Sequence, residues 1–308
     1  MHLTIHFRRI NMEYSLFDAH CDTILKVYTE NENLYDCPFD INIKKLLEFK
    51  KASQVFAIFN EGNLLSNDII NIIHLLKSNM KDCKVKTNTK SLEKTNAFIS
   101  IEGVGNTKDL SAIDIERFYN EGVRIISLTW NQNNRLCGGI LNNNEGLTLQ
   151  GKKILKKMSE LNIILDVSHI SDEGFYDCFE NFDGKIVATH SNSRTICPHM
   201  RNLTDDQFMC IKKRGGVVGM NLYPLFINNS DTAYTKDIIK HIEYFLSLGG
   251  ENNIGIGADF DGIEYKMKDI SDVSKMYILF DEMKKLNYSD EIIDKISHKN
   301  FENLLKNV

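Results

Sequence analysis

Four short apolar stretches of this chain run directly into a side chain able to bind a metal ion or carry a proton. AFISIE ends at Glu102, NIILDVSH at His169, KIVATH at His190, and IGIGADFDG reaches Asp259. A fifth stretch, LFDAHCD, holds His20 and Asp22. In an extended segment residues i and i+2 face the same way, so His20 and Asp22 can reach one ion. Imidazole with carboxylate suits zinc or a similar first-row cation. An isolated H-x-D pair is more often a turn with a hydrogen-bonded histidine. Glu102 has the alternative of a buried carboxylate paired with Arg124, and His169 or His190 alone reads as a core imidazole. Taken together they read differently: Glu102 can bridge two cations with its two oxygens, and His169 and His190 complete the second. His2, His6, His74, His199, His241 and His298 fall in the N-terminal tail, helices or loops and follow no such rule.

Side chains so far apart in the chain must be brought together by the elements that carry them. Eight β-rich apolar runs alternate with helical patterns: 16–19, 54–59, 97–101, 123–129, 163–167, 186–189, 216–222 and 254–258. Several are apolar throughout, as strands buried on both faces must be. Helical periodicity marks 67–78, 147–161, 204–213 and 236–248, the last closed by Gly249-Gly250. Two further helices are expected near 273–285 and 289–306. This alternation predicts an α/β fold, a (β/α)₈ TIM-type barrel occupying 1–308 as a single domain. Barrel active sites lie at the C-terminal ends of the strands, where the residues above sit. No G-x-G-x-x-G follows the first run, which disfavours dinucleotide binding.

Composition sets limits on partners. The chain has 308 residues, 42% of them hydrophobic and 26% charged, with a net charge of −5. That is a globular balance without a basic footprint, so no nucleic-acid partner is expected. No apolar run reaches the roughly 18 residues of a membrane span. The seven cysteines (Cys21, Cys37, Cys83, Cys137, Cys178, Cys197 and Cys210) form no C-x-x-C pair. Their irregular spacing argues for a reducing, cytoplasmic setting rather than a disulfide framework. Residues 1–11 read as an upstream start before Met12 or as a disordered tail.

The residues also carry a resemblance. FDAHCDT at Asp18, SIEG at Glu102, LTWN at Thr129, DVSH at Asp166, THSNSRTICPHMRNLTDDQ from Thr189 and GADFDG from Ala258 resemble the membrane (renal) dipeptidases, peptidase family M19, and most of all their soluble bacterial members. The likeness covers nearly everything after Met12. It implies a metal-dependent hydrolase: a dipeptidase cleaving dipeptides with a free C-terminal carboxylate through a binuclear zinc hydroxide mechanism. By that resemblance His20 and Asp22 bind one zinc, His169 and His190 the other, with Glu102 bridging. Arg201 would grip the substrate carboxylate, for which the planar guanidinium fork is suited; its alternative is a surface ion pair with Asp205 or Asp206. Asp259 would move the proton, with Asp261 as rival, and a homodimer is implied. Arg194 reads as structural, and Tyr223 as a pocket wall or an ordinary packed side chain. Trp130 departs from the pattern, standing where mammalian members carry a histidine. Amidohydrolase barrels that open with H-x-H and bridge with a carbamylated Lys fit less well. An amidase or lactonase acting on another substrate, or a non-catalytic metal-binding barrel, are the alternatives.

Overall fold

The computed structural model describes residues 12–82, 86–87, 95–141 and 145–306. The expectations for residues 1–11, with His2 and His6, and for Cys83 lie outside these. The strands are β1 (Ser15–Cys21), β2 (Lys51–Phe59), β3 (Lys86–Thr87), β4 (Asn96–Glu102), β5 (Val123–Ser127), β6 (Ile164–Asp166), β7 (Ile186–Val187), β8 (Val218–Met220) and β9 (Ile254–Ile256). All pair in parallel, in the order β7-β6-β5-β4-β2-β1-β9-β8. The bridge pair Ala188–Val218 joins the two ends of that order and closes the cylinder. The fold is a (β/α)₈ barrel. Each of the eight apolar runs supplies one barrel strand. β3 was not anticipated; it pairs the start of β4 at Asn96 and Ala97, before β5 joins that edge at Ile99.

A parallel strand needs a crossover to reach its neighbour, and a helix is the usual one. Helices at Ser66–Asp82, Leu149–Glu160, Asp205–Lys213, Thr235–Ser247 and Tyr277–Lys285 sit where periodicity placed them. Thr148 and Thr204 cap two of them by accepting from Gly151 N and Gln207 N. Helices Thr23–Glu30, Ala112–Asn120 and Asp172–Asn181 were not foreseen, being short and following strands without a long apolar stripe. The expected last helix runs without interruption through Asp290–Asp294, a π-helical stretch at Lys295–Lys299 and Asn300–Leu305. The core has two layers. One packs helices against the outside of the cylinder, and a smaller one joins Phe17, Ala19, Val55, Phe98, Ile125, Ile164 and Val187 of the strands to Phe301 of the helix Asn300–Leu305. Phe17 stacks on Phe301 and meets Phe98, both at 5.5 Å between centroids.

Candidate metal centre

The local backbone at each strand end decides where its donor points. In β1 the register steps from Asp18 opposite Gln54 to Cys21 opposite Phe56, so three steps on one strand face two on the other. Such a bulge re-aims side chains. Asp22 has left the strand and opens the helix Thr23–Glu30 without capping it by its side chain. Glu102 is the last residue of β4. His169, Asp259 and Asp261 have positive φ (70°, 64° and 67°), a left-handed backbone that costs a non-glycine residue about 1–2 kcal/mol. The surroundings hold it: Ile140 N donates to His169 O at 2.8 Å, and Asp259 N to His20 O at 3.2 Å.

The strand ends converge. Glu102 Oε2 lies 3.6 Å from His20 Nε2, which is 3.5 Å from Asp22 Oδ2. Glu102 Oε1 lies 2.9 Å from His169 Nε2 and 3.7 Å from His190 Nε2. The two oxygens of one buried carboxylate thus face two separate donor sets, His20/Asp22/Glu102 and Glu102/His169/His190. A third grouping, His20/His190/Asp259, overlaps both. His20, Glu102, His169, His190 and Asp259 are buried and Asp22 is half-buried. Arg124, the alternative partner of Glu102, donates instead to Tyr119 O and Val123 O.

Proton positions follow from the outer contacts. His169 Nδ1 meets Asn131 Oδ1 at 2.7 Å; an amide oxygen only accepts, so Nδ1 carries the proton and Nε2 a lone pair. Thr189 Oγ1 donates its single proton to Asp166 Oδ2 at 2.5 Å. Its 2.8 Å contact with His190 Nδ1 therefore makes that nitrogen the donor too. The two Nε2 lone pairs then meet at 2.8 Å, which only a shared cation or proton makes favourable. Burial, reinforced by the charges of Arg201 and His20, pushes both imidazoles well below the usual range, so they stay neutral. For His20 burial opposes protonation, but Glu102, Asp22 and Asp259 outweigh it and lift the imidazole to about 10. Burial also raises Glu102 well above the carboxylate range, against the pull of His20. Among the buried atoms, Asp22 Oδ1 and Glu102 Oε1 make no hydrogen bond. Crowded carboxylates and neutral imidazoles with converging lone pairs fit a pair of divalent cations.

The remaining candidates separate cleanly. Asp259 Oδ2 accepts from Asn221 Nδ2 at 2.9 Å while Oδ1 sits 3.8 Å from His20 Nε2. Asp261 lines the same cleft, but its carboxylate is engaged: it accepts from the Thr23 hydroxyl and from the backbone N–H of Asp40 and Ile41 at 3.0 and 3.3 Å. Its task is to pin a loop. We expect Asp261→Asn to lower the melting temperature by several degrees with kcat changed less than tenfold; a thermal melt beside a kinetic assay checks it.

Arg201 is 6% exposed, and its Nε and Nη2 have no partner. Asp205 and Asp206 bind Thr195, Tyr244 and Tyr176 instead. Desolvation lowers the guanidinium to about 10, with Asp259 and Glu102 opposing. A buried cation with unused donors is costly unless an acceptor meets them. Arg194 is structural: it is bidentate to Asp172 at 2.7 and 2.8 Å and donates to Asn202 O and Met200 O on either side of Arg201. Tyr223 packs edge-on against Phe226, over whose ring the Arg201 guanidinium lies at 5.3 Å. Trp130 stands against Phe59 and His169, at 5.1 and 6.1 Å, and forms a wall. The cleft between Asp22, Leu25, Lys26, Phe59, Glu102, Trp130 and Asp259 holds about 250 Å³. A larger hollow of about 350 Å³ lies beside Tyr14 and Lys284, near the start of β1, and gathers no such donor set.

Gly262 closes the GADFDG segment. A Cβ there would come 2.1 Å from Asp22 Oδ2 and 2.7 Å from Asp259 Oδ1. We expect Gly262→Ala to displace Asp22 and weaken the ion it faces, read as metal content after dialysis; full retention of metal and activity would contradict this. Nothing in the sequence marks a role for Asn131, Asn221, Thr189 or Asp166, because a hydrogen-bond partner of a ligand has no spacing signature.

A closed parallel barrel whose strand ends gather two overlapping sets of metal donors defines a metallohydrolase-type barrel. The sequence pattern of the membrane dipeptidases (peptidase family M19) matches residues 5–308. The chain belongs to that family of peptide-bond hydrolases. It is 36% identical over 220 residues to an uncharacterized protein in the pqqA 5′ region of Klebsiella pneumoniae, covering 68% of this chain and 80% of that one. An uncharacterized dipeptidase of Schizosaccharomyces pombe is 33% identical over 58% of this chain, and that stretch spans 44% of the yeast protein. Among solved structures, a metallopeptidase from Rhodobacter sphaeroides liganded with a phosphinate mimic of the dipeptide L-Ala-D-Ala shares the fold, with a TM-score of 0.85 at 22% identity over 96% of this chain and 99% of that one.

Proposed function

We propose that this chain is a zinc-dependent dipeptidase acting on dipeptides with a free C-terminal carboxylate. The observation that carries the reading is Glu102, whose two oxygens address two donor sets across one small cleft. His20 and Asp22 would hold one zinc, His169 and His190 the other, with Glu102 shared. Bound there, two zinc ions supply polarisation of the scissile carbonyl and acidification of a water. Arg201 receives the substrate carboxylate on its unused N–H groups. Asp259 takes the proton of the attacking water and returns it to the leaving amine. Asn221 holds Asp259 by one oxygen and leaves the other facing the donor cluster. The cleft volume lies just below the roughly 300–1,000 Å³ usual for ligand sites, which suits two residues rather than a long peptide. The phosphinate dipeptide mimic held by the Rhodobacter sphaeroides protein supports including D-residues at the C-terminal position.

A panel of L-L and L-D dipeptides should be hydrolysed, with activity removed by a chelator and restored by zinc. Absence of hydrolysis across the panel with zinc bound would sink the proposal. Arg201→Lys should raise KM by roughly 10–100-fold, the worth of a charge-assisted pair. The same change should be nearly silent toward dipeptide amides, which lack the carboxylate; an equal loss on both would remove Arg201 from the pocket.

The reading extends to a single barrel domain that forms a cytoplasmic homodimer. Among the described residues no helix is long and apolar enough to cross a membrane. The six described cysteines are free, five of them buried. Light scattering on the purified protein tests the dimer.

A further inference from the structure

The two donor sets are not equally prepared. Both imidazoles of the Glu102/His169/His190 set are fixed from behind. Asn131 Oδ1 accepts from His169 Nδ1 at 2.7 Å. Thr189 Oγ1 accepts from His190 Nδ1 at 2.8 Å while it donates to Asp166. Asp166 is itself held, accepting through Oδ1 from Ser168 N and Thr189 N at 3.0 and 2.9 Å. Main chain grips the same place, with Ile140 N bound to His169 O and Leu141 N to Asn131 O. On the other side Asp22 is 15% exposed at its side chain, makes no side-chain bond to the helix it opens, and leaves Oδ1 without a hydrogen bond. Partners behind a ligand set its tautomer and orientation, and losing one typically costs 10–100-fold in affinity.

We infer that Asn131 and Thr189 are positioning residues that preset His169 and His190, and that the first metal ion therefore enters the Glu102/His169/His190 set, before the His20/Asp22 set. This rests on the metal centre proposed above. The order follows because donors already aimed lose little freedom on binding, whereas the Asp22 carboxylate, with Oδ1 unbonded and Oδ2 3.5 Å from His20 Nε2, has more to lose.

Zinc titrated into the metal-free protein against a chromophoric chelator should show two phases. Asn131→Ala should weaken the tighter phase by roughly 10–100-fold and leave the weaker one within about threefold. Thr189→Val should do the same and Thr189→Ser should restore it, which separates a hydroxyl contact from loss of fold. A second readout needs no metal: imidazole nitrogen shifts should report Nδ1–H on both His169 and His190, and Asn131→Ala should disturb His169 alone. Two ions bound with indistinguishable affinities, or a tighter phase untouched by Asn131→Ala and Thr189→Val, would overturn this inference and leave the dipeptidase reading intact. No zinc bound at all would overturn both.

Discussion

Asp259→Asn should bind as much metal as the parent protein and lose about 10²–10⁴-fold in kcat, the usual contribution of a positioned proton acceptor. The amide keeps the shape of the carboxylate and can still pair with Asn221, which holds Asp259 Oδ2 at 2.9 Å. What it loses is the basic oxygen 3.8 Å from His20 Nε2. The pH profile adds a second signature. Burial raises Asp259 to about 6, while His20 and the Asn221 bond pull it down; bound cations would pull it lower still. Protonation below that value removes the acceptor, so kcat/KM of the parent should fall on the acid side at or below pH 6. The Asn variant should lack that limb. Asp259 also belongs to a donor group with His20 and His190, so the metal content of Asp259→Asn is the deciding number. A protein that loses metal would make Asp259 a ligand.

His190→Ala should behave in the opposite way, losing metal first and activity as a consequence. His190 is buried, its Nε2 lies 2.8 Å from His169 Nε2 and 3.7 Å from Glu102 Oε1, and its Nδ1 is spoken for by Thr189. Its removal takes a donor from a three-member set. The affinity lost should exceed the roughly 10–100-fold that follows from disturbing a ligand's partner. Metal analysis after dialysis, set beside the same assay on Asp259→Asn, separates ligand from proton carrier. Equal metal loss in both would end that division of labour.

The donors were legible in the chain because each sits where an apolar run stops, and barrels place their chemistry there. His20, Asp22, Glu102, His169, His190 and Asp259 all converge as that rule requires. Arg201 was legible only through resemblance, since it lies on a loop with no periodicity to mark it. Asp261 shows the limit of reading by proximity in sequence. It shares a motif with Asp259, yet it is consumed by the Asp40–Ile41 backbone and Thr23. Trp130 shows another limit: its contacts with Phe59 and His169 make it a wall, which a substituted motif position could not disclose.

Alternating apolar runs and amphipathic segments determine the barrel and the end of it that carries the site, because burial and hydrogen bonding of a parallel sheet leave few other arrangements. The types of the donors likewise follow from sequence, since imidazole and carboxylate have the same chemistry wherever they stand. Tertiary structure alone decided how they point. A bulge in β1, left-handed turns at His169 and Asp259, and partners as distant as Thr189, Asn131 and Asn221 set each lone pair. Direction is a property of contacts between segments remote in the chain, and distances along the sequence carry no record of them.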